Sequence, residues 1–479
     1  MLCRRRCMVA PEQLPGRKAF VVAIGFLAMI LCLPGCRTYY QKQHDFHRHF
    51  ESGNIIAAAG VLEDDSRADR RRTRLLSLMN QGVVEQMLGN YQKSNEYLEQ
   101  AHVLGEDYHS DLTDAALTLL VNPRVTEYKG EPFELLMIHY YKAMNFIQLG
   151  DMDAALVECR RLNIKLNALE DRYEGDNRYR RDAFIHNLMG IIYDASGEYN
   201  NAFIAYRNAL NIYEEDYKPL YGIGPPEQLK ADLLRAAYRT GFHDQVDFYE
   251  KRFGMDFHPA MALEDGGELV FFWQNGLGPV KTEKSLNFTL VRGQGGSMQF
   301  VNKEAGLSFP VSASQRERTG SLGDMRVVRV AFPEYAQRHP VYKSALLRSG
   351  DQTVPFHLAQ DINAIAFQAL DDRMFKEMGT ALLRLALREA TEQRIRKEDE
   401  NIGALFGLLG AIAEQADTRN WQTLPHSILY TRKQLPEGQH PLELDLQRPD
   451  GSTARTVSLD KTIKDGQTSF VNFHTPHTK

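Results

Sequence analysis

Few side chains in this sequence have the types and spacing that catalysis or metal binding would require. Asp361 and Asp372 lie about three turns apart on one predicted helix, and paired carboxylates can do acid–base work; charged groups on an exposed helix face explain them more simply. His44, His47 and His49 are close enough for a metal site, but the sequence offers no evident fourth ligand. Signatures of esterases, zinc proteases and phosphate-binding loops are missing from the sequence. We therefore expect no enzyme, no cofactor and no metal.

The residues that precede Cys36 suggest a chemical role for this cysteine. Five basic residues come before the apolar run 19–33, which ends at Leu33 and is followed by Pro34, Gly35 and Cys36. A basic start, a short apolar core and a small residue at the cleavage site are the features of a secretory signal. The apolar run is shorter than the roughly 20 residues that a membrane-spanning helix needs. The ending resembles a bacterial lipoprotein signal, which implies that Cys36 becomes the first mature residue and carries acyl chains. A simple membrane anchor is the alternative.

Charge and cysteine usage bear on where the protein works. The chain has a formal charge of −5, and because residues 1–35 hold five basic residues and one acidic residue, the rest carries −9. Such an acidic chain is a poor nucleic-acid binder, and acyl chains would have to hold it on an anionic membrane. Arg37 follows Cys36, which by the bacterial sorting rule favours the outer membrane. We expect a lipid-anchored, periplasm-facing protein without an intramolecular disulfide, since Cys159 is the other cysteine after residue 35.

The elements before residue 257 are predicted to be helical hairpins. Each turns at a glycine: Gly89, Gly150, Gly197 and Gly241. Small or apolar residues recur seven positions before and five positions after these turns: Gly82, Ala143, Gly190 and Leu234, then Ser94, Ala155, Ala202 and Val246. Small residues at these offsets let two antiparallel helices approach closely, and the spacing is that of a tetratricopeptide (TPR) helix-turn-helix. The fourth hairpin matches least well.

The first helices of such hairpins line a concave groove. Its predicted lining combines aromatic, apolar and amide groups: Tyr140, Met144, Ile147, Asn187, Ile191 and Asp194. This mixture suits an extended or helical peptide from a partner protein. A second contact is predicted in the non-helical loop 122–132, through Arg124, Tyr128 and Glu131, because loops often carry function. A plain exposed connector explains that loop equally well.

After residue 257 the pattern changes to short runs rich in aromatic and β-branched residues, which predict strands. The fold class is therefore α+β, an N-terminal TPR-like array followed by a β-sandwich-like domain with a helical insertion. The predicted domains are a signal peptide at 1–35, a juxtamembrane linker at 36–56, a repeat domain at 57–256, a β-rich domain at 257–356 and 420–479, and a helical insertion at 357–419.

Several segments resemble uncharacterised bacterial lipoproteins with TPR-like repeats: 122–130, 134–161, 268–280, 417–425 and 435–440. The resemblance implies fold and compartment, not activity. We expect a scaffold that binds an envelope protein or peptide in the TPR groove. The alternatives are an envelope hydrolase with its active site in the C-terminal domain, and a module that binds cell-wall glycan through Trp273 and Trp421.

Overall fold

The computed structural model describes residues 39–63, 71–110, 126–172, 181–258, 266–292, 298–311, 327–398 and 415–479. Cys36 and Arg124 lie outside these ranges. The chain divides into two compact units, Met1–Asp45 and Phe46–Lys479. The hydrophobic cores lie within the second unit.

Helices fill the first half of the described structure. They are α1 (Tyr39–Glu51), α2 (Ile55–Glu63), α3 (Arg74–Met87), α4 (Tyr91–Ser110), α5 (Pro132–Gln148), α6 (Met152–Arg172), α7 (Ala183–Ala195), α8 (Tyr199–Ile212), α9 (Lys218–Tyr221), α10 (Glu227–Thr240) and α11 (His243–Phe253). A π-helical turn, Tyr213–Tyr217, joins α8 to α9. Among the described helices, none has both the length and the apolar character needed to cross a membrane.

Each predicted hairpin turns at a glycine with positive φ. Gly197 has φ +77°, a left-handed conformation that costs other residues about 1–2 kcal/mol. The N–H of Glu198 then reaches back to the carbonyl of Tyr193 at 2.9 Å, which satisfies a carbonyl left free at the helix end. The other three turns close in the same way, at Gly89, Gly150 and Gly241. The prediction of a TPR-like array of helical hairpins is confirmed.

The same turn occurs once more, before the predicted array. Gly53 has φ +76°, and the N–H of Asn54 donates to the carbonyl of His49 at 2.9 Å. Phe46 and Phe50 of α1 are buried in the same core as the hairpins. Residues 39–51, predicted as part of a linker, are therefore a helix whose last turns belong to the folded body.

The second half is built from strands and one long helix. The strands are β1 (Gly267–Asn275), β2 (Val280–Arg292), β3 (Met298–Asn302), β4 (Leu307–Val311), β5 (Val327–Ala336), β6 (Ser344–Ser349), β7 (Gln352–Pro355), β8 (His357–Asp361), β9 (Ser427–Leu435), β10 (Gly438–Gln447), β11 (Thr453–Ile463) and β12 (Thr468–Thr475). The helix α12 (Ile362–Glu398) lies between β8 and β9. Because β8 precedes it, the helical insertion begins five residues later than predicted.

The strands form three four-stranded sheets. The central sheet has the order β12-β1-β9-β8, the outer sheet β11-β10-β6-β7, and the third sheet β4-β3-β2-β5. Every pair is antiparallel except β1 with β12, which is parallel. The third sheet packs against α12 through Phe288, Phe309 and Met378. The predicted fold class, a helical array followed by a β-rich part with a long helix, is confirmed.

The central sheet is sandwiched between the helices and the outer sheet. One face of β1 places Val270 and Phe272 in the core of the helical array. The other face places Phe271 and Trp273 in a second core with Leu444 of the outer sheet. All nine residues of β1 are buried, so the strand has an apolar run rather than an alternating pattern. The molecule is thus layered as helices, central sheet and outer sheet.

Candidate functional site

The concave face of the helical array is covered by the chain's own central sheet. All six side chains predicted to line a groove there are buried, with at most 7% exposure: Tyr140, Met144, Ile147, Asn187, Ile191 and Asp194. Met144, Ile147 and Ile191 share one core with Phe272 of β1. These side chains do not line an open groove, and a partner could reach them only if the sheet moved away.

Polar side chains in the middle of this interface are hydrogen-bonded to one another. The amide of Gln274 on β1 donates to the hydroxyl of Tyr140 at 3.0 Å and accepts from the hydroxyl of Tyr141 at 3.2 Å. The same amide donates to Asn472 of β12 at 3.1 Å, and Asn472 donates to Gln86 of α3 at 3.2 Å. Since a buried polar group is costly without a partner, this network specifies how the sheet sits on the helices.

A group of six charged residues, here called the charge cluster, joins α7 and α10 to the central sheet. It contains three carboxylates and three guanidinium groups: Asp194, Asp232 and Glu268 with Arg235, Arg239 and Arg432. Arg432 of β9 is its centre: it contacts Asp194 at 2.9 Å, Glu268 at 2.5 Å and Asp232 at 3.2 Å. Its guanidinium also donates to the hydroxyl of Tyr206 at 3.1 Å. The three negative and three positive charges balance, and charges can be buried when they are paired in this way.

The carboxylates of the charge cluster have different environments. Burial disfavours the ionised form of Asp194, but Arg235, Arg432 and Arg239 lower its pKa to about 2. Burial raises the pKa of Asp232 above its usual value despite the nearby arginines. Carboxylates with perturbed pKa values also occur at active sites, but here each of the three carboxylates pairs with at least one arginine. The geometry is that of a structural clamp between two layers.

The predicted contact loop is also inside the protein. Tyr128 and Glu131 are buried, and Glu131 accepts from Lys281 of β2 at 2.6 Å and pairs with Arg373 of α12. Burial opposes ionisation of Glu131, but these two cations hold its pKa well below the usual range. Burial and the charge of Glu131 raise the pKa of Glu134. Glu131 therefore ties the helical array to the β-rich part, and neither Tyr128 nor Glu131 presents a surface to a ligand.

The other residues considered for chemistry have structural roles or no site around them. Asp361 accepts from the backbone N–H of Ala364 at 2.9 Å and so caps the start of α12. Trp273 and Trp421 are buried, with 0% and 1% exposure, so neither presents a ring on which a sugar could stack. Cys159 is buried and burial raises its pKa, so its thiol packs in the core rather than acting as a nucleophile.

The three histidines considered for a metal site lie on α1. Within the described ranges, no group of three or more histidine, cysteine or acidic side chains is placed to hold a metal ion.

The surface of the array opposite the sheet carries an open cleft of about 650 Å³, here called the outer cleft. Its walls are α4, α5 and α6, and its apolar lining includes Phe146, Leu149 and Val157. Leu149 is 48% exposed and Val157 42% exposed. Exposed apolar side chains clustered in a cleft, rather than scattered singly, are typical of protein interaction sites.

Ion pairs at the edge of the outer cleft fix its shape. Lys142 of α5 donates to Glu158 of α6 at 2.7 Å and pairs with Glu99 of α4. His139 donates from Nδ1 to the second oxygen of Glu158 at 2.7 Å, and burial lowers its pKa, so the ring is neutral at pH 7. Burial opposes ionisation of Glu158, but His139 and Lys142 lower its pKa to about 2. Glu158 therefore links α5 to α6, and Lys142 links both of them to Glu99 of α4.

Comparison with known proteins concerns the helical part alone. No protein-family model matches the chain, and no curated protein matches it. Among solved structures, a crystal structure of MamA protein has 16% identity and a TM-score of 0.29, covering 47% of this chain and 99% of that one. MamA 41-end from Desulfovibrio magneticus RS-1 has 15% identity and a TM-score of 0.29, covering 44% and 90%. The apo form of RapI has 16% identity and a TM-score of 0.35, covering 49% of this chain and 58% of that one.

Sequence reasoning did not find the residues that join the layers. Glu268 and Arg432 stand in strands that are otherwise almost entirely buried. A charged residue inside a buried strand is rare unless it is paired, so the two positions carried a usable signal. The partners of these residues lie on α7 and α10, too far away in the sequence for any spacing rule to connect them.

Proposed function

We propose that this protein is a lipid-anchored scaffold of the bacterial periplasm, which binds a partner protein in the outer cleft. The observation that carries the binding site is the placement of half-exposed Leu149 and Val157 between three helices that are held in position by ion pairs, one of them buried. The chain's own sheet occupies the concave face, so the outer cleft takes the place of the predicted groove.

The cleft suits an amphipathic helix of the partner. Its floor lies between α4 and α6, and helices commonly dock their apolar face into such grooves. Burying one Leu or Val side chain contributes roughly 1.5–3 kcal/mol. The ionisable lining consists of three carboxylates and two cations: Glu96, Glu99, Glu158, Lys142 and Arg161. The surplus of one negative charge favours basic residues beside the apolar face of the partner helix.

The double variant Leu149→Lys/Val157→Lys tests the cleft. It removes two apolar contacts and adds positive charge, so we expect the partners recovered from detergent-solubilised envelope with the wild-type protein to fall at least about tenfold in amount. Ile164→Lys/Phe248→Lys is the matched control, because these side chains are 67% and 52% exposed and do not line the cleft. Both variants should unfold at the wild-type temperature. An unchanged set of partners for the cleft variant would refute this binding surface.

The lipid anchor is tested separately from the cleft. It is proposed because a basic segment and an apolar run precede Cys36. Two or three acyl chains suffice for stable anchoring, since each buried methylene contributes roughly 0.8 kcal/mol. Cys36→Ser should abolish labelling by a palmitate analogue in bacterial cells, whereas Cys159→Ser should leave the labelling intact. Labelling that persists in Cys36→Ser would overturn the anchor without affecting the proposal for the cleft.

A further inference from the structure

The strand β12 is an edge of the central sheet. Within the described part of the chain it pairs with β1 alone, in parallel register from Glu268↔Thr468 to Asn275↔Thr475. The N–H of Glu268 donates to the carbonyl of Gln467 at 2.9 Å, and the N–H of Gly276 donates to that of Thr475 at 2.8 Å. The odd-numbered residues of this segment therefore bond to β1.

The even-numbered residues turn their backbone groups away from β1, since successive residues of a strand point to opposite sides. These are Thr468, Phe470, Asn472 and His474. One of their carbonyls is occupied: that of Phe470 accepts from Lys461 of β11 at 2.8 Å and from Gln148 of α5 at 3.4 Å. The second bond is long and therefore weak. Backbone groups left unpaired along the edge of a sheet are a template for another strand.

Open space flanks both ends of this edge. A cleft of about 660 Å³ lies between the end of β12 and the turn at Gly89. A second cleft, of about 790 Å³, lies between the start of β12 and the turns at Gly197 and Gly241. The hairpin turns stand beside the strand without pairing with it, so extended chain has room at both ends of the edge. Between the two ends Phe470 is buried and Gln148 donates to its carbonyl, so the side chain of Gln148 must move for one segment to follow the whole edge.

The charges beside the edge indicate what kind of segment fits. Arg455 lines the first cleft, and Lys461 reaches the backbone of β12. Both lie on the face of β11 that carries Val457 and Leu459 towards the central sheet. Among the described residues neither cation forms an ion pair with a carboxylate. Because they are six residues apart on one strand, a distance of about 20 Å, two acidic side chains of a segment along the edge, one near each cation, would each find a partner.

We propose that an extended, acidic segment of a partner protein adds as a fifth strand to the free edge of β12. Its backbone would pair with the even-numbered residues of β12, displacing Gln148 from the carbonyl of Phe470. Every second side chain of the segment would face Arg455 and Lys461. This site shares no residue with the outer cleft, so each proposal can fail without the other.

The test uses two fluorescent decapeptides that differ only in charge, acetyl-(Thr-Glu)5-amide and acetyl-(Thr-Lys)5-amide. We expect the acidic peptide to bind the full chain at least tenfold more tightly in fluorescence anisotropy. Thr468→Pro removes one outward N–H and blocks the edge with a ring, while an edge strand tolerates proline there. This variant should weaken binding of the acidic peptide at least tenfold, whereas Thr468→Val, which keeps the N–H, should not.

A second variant keeps the test decisive if Thr468→Pro does not fold. Arg455→Gln/Lys461→Gln leaves the backbone edge intact and should abolish the preference for the acidic peptide. The backbone amides of Thr468, Asn472 and His474 should also become protected from hydrogen exchange when the acidic peptide binds to the wild-type protein. Equal binding of both peptides, wild-type affinity of Thr468→Pro, or no binding at 1 mM peptide would each overturn the proposal.

Discussion

Replacing Arg432 with Leu is expected to lower the free energy of unfolding by about 3–5 kcal/mol at pH 7. The side chain of Arg432 is 3% exposed and contacts Asp194, Asp232 and Glu268. Without it, three buried carboxylates share two guanidinium groups, and one negative charge is left without a matching cation. Urea unfolding of the wild type and the variant at pH 7 measures the difference.

Arg348 provides the matched control for this substitution. It is an arginine in the outer sheet that pairs with Asp445 at 3.1 Å, but its side chain is 42% exposed. Because water screens exposed ion pairs, Arg348→Leu should cost no more than about 1 kcal/mol. Adding Asp232→Asn to Arg432→Leu should recover part of the loss, since it removes the excess charge. Equal losses for the two arginines would show that the charge cluster does not clamp the layers.

Replacing Gly190 with Ala is expected to destabilise the protein by about 1–3 kcal/mol, although Ala favours helix over Gly by about 1 kcal/mol. A Cβ at this position would lie 2.4 Å from Cδ1 of Tyr206. The ring of Tyr206 cannot move aside cheaply, because it is fully buried and its hydroxyl accepts from Arg432. Packing therefore decides the sign of the effect. The measurement is again the free energy of unfolding in urea.

Gly60 is a control for which the same measurement should show the opposite change, a higher free energy of unfolding. It lies inside α2, and a Cβ there would have no atom within 4 Å. Gly60→Ala should therefore stabilise the protein by about 0.5–1 kcal/mol, through helix propensity alone. A stabilising effect at both glycines would mean that α7 and α8 have room to separate, contrary to the close approach that the hairpin spacing predicts.

The hairpins were predictable because their determinants are local. A turn at Gly197, with Gly190 seven residues before it, is a pattern contained in one short stretch of sequence. The strands are local features in the same way: Leu442, Leu444 and Leu446 alternate with polar residues, and all three are buried. The turn at Gly53 has the same chemistry, but the histidines and charges around it favour a linker when only local sequence is considered.

Helical hairpins in the first half and strands in the second could be predicted from residue patterns, because both follow from periodicities of a few residues. What covers the concave face depends on how these elements pack. Strand β1 is apolar on both sides, and nothing local says which side meets the helices. That choice rests on pairs far apart in the chain, such as Arg432 with Asp194, which are 238 residues apart. Contacts at such separation depend on how whole helices and strands pack together. The groove predicted from the helices is therefore filled by strands that follow them in the sequence.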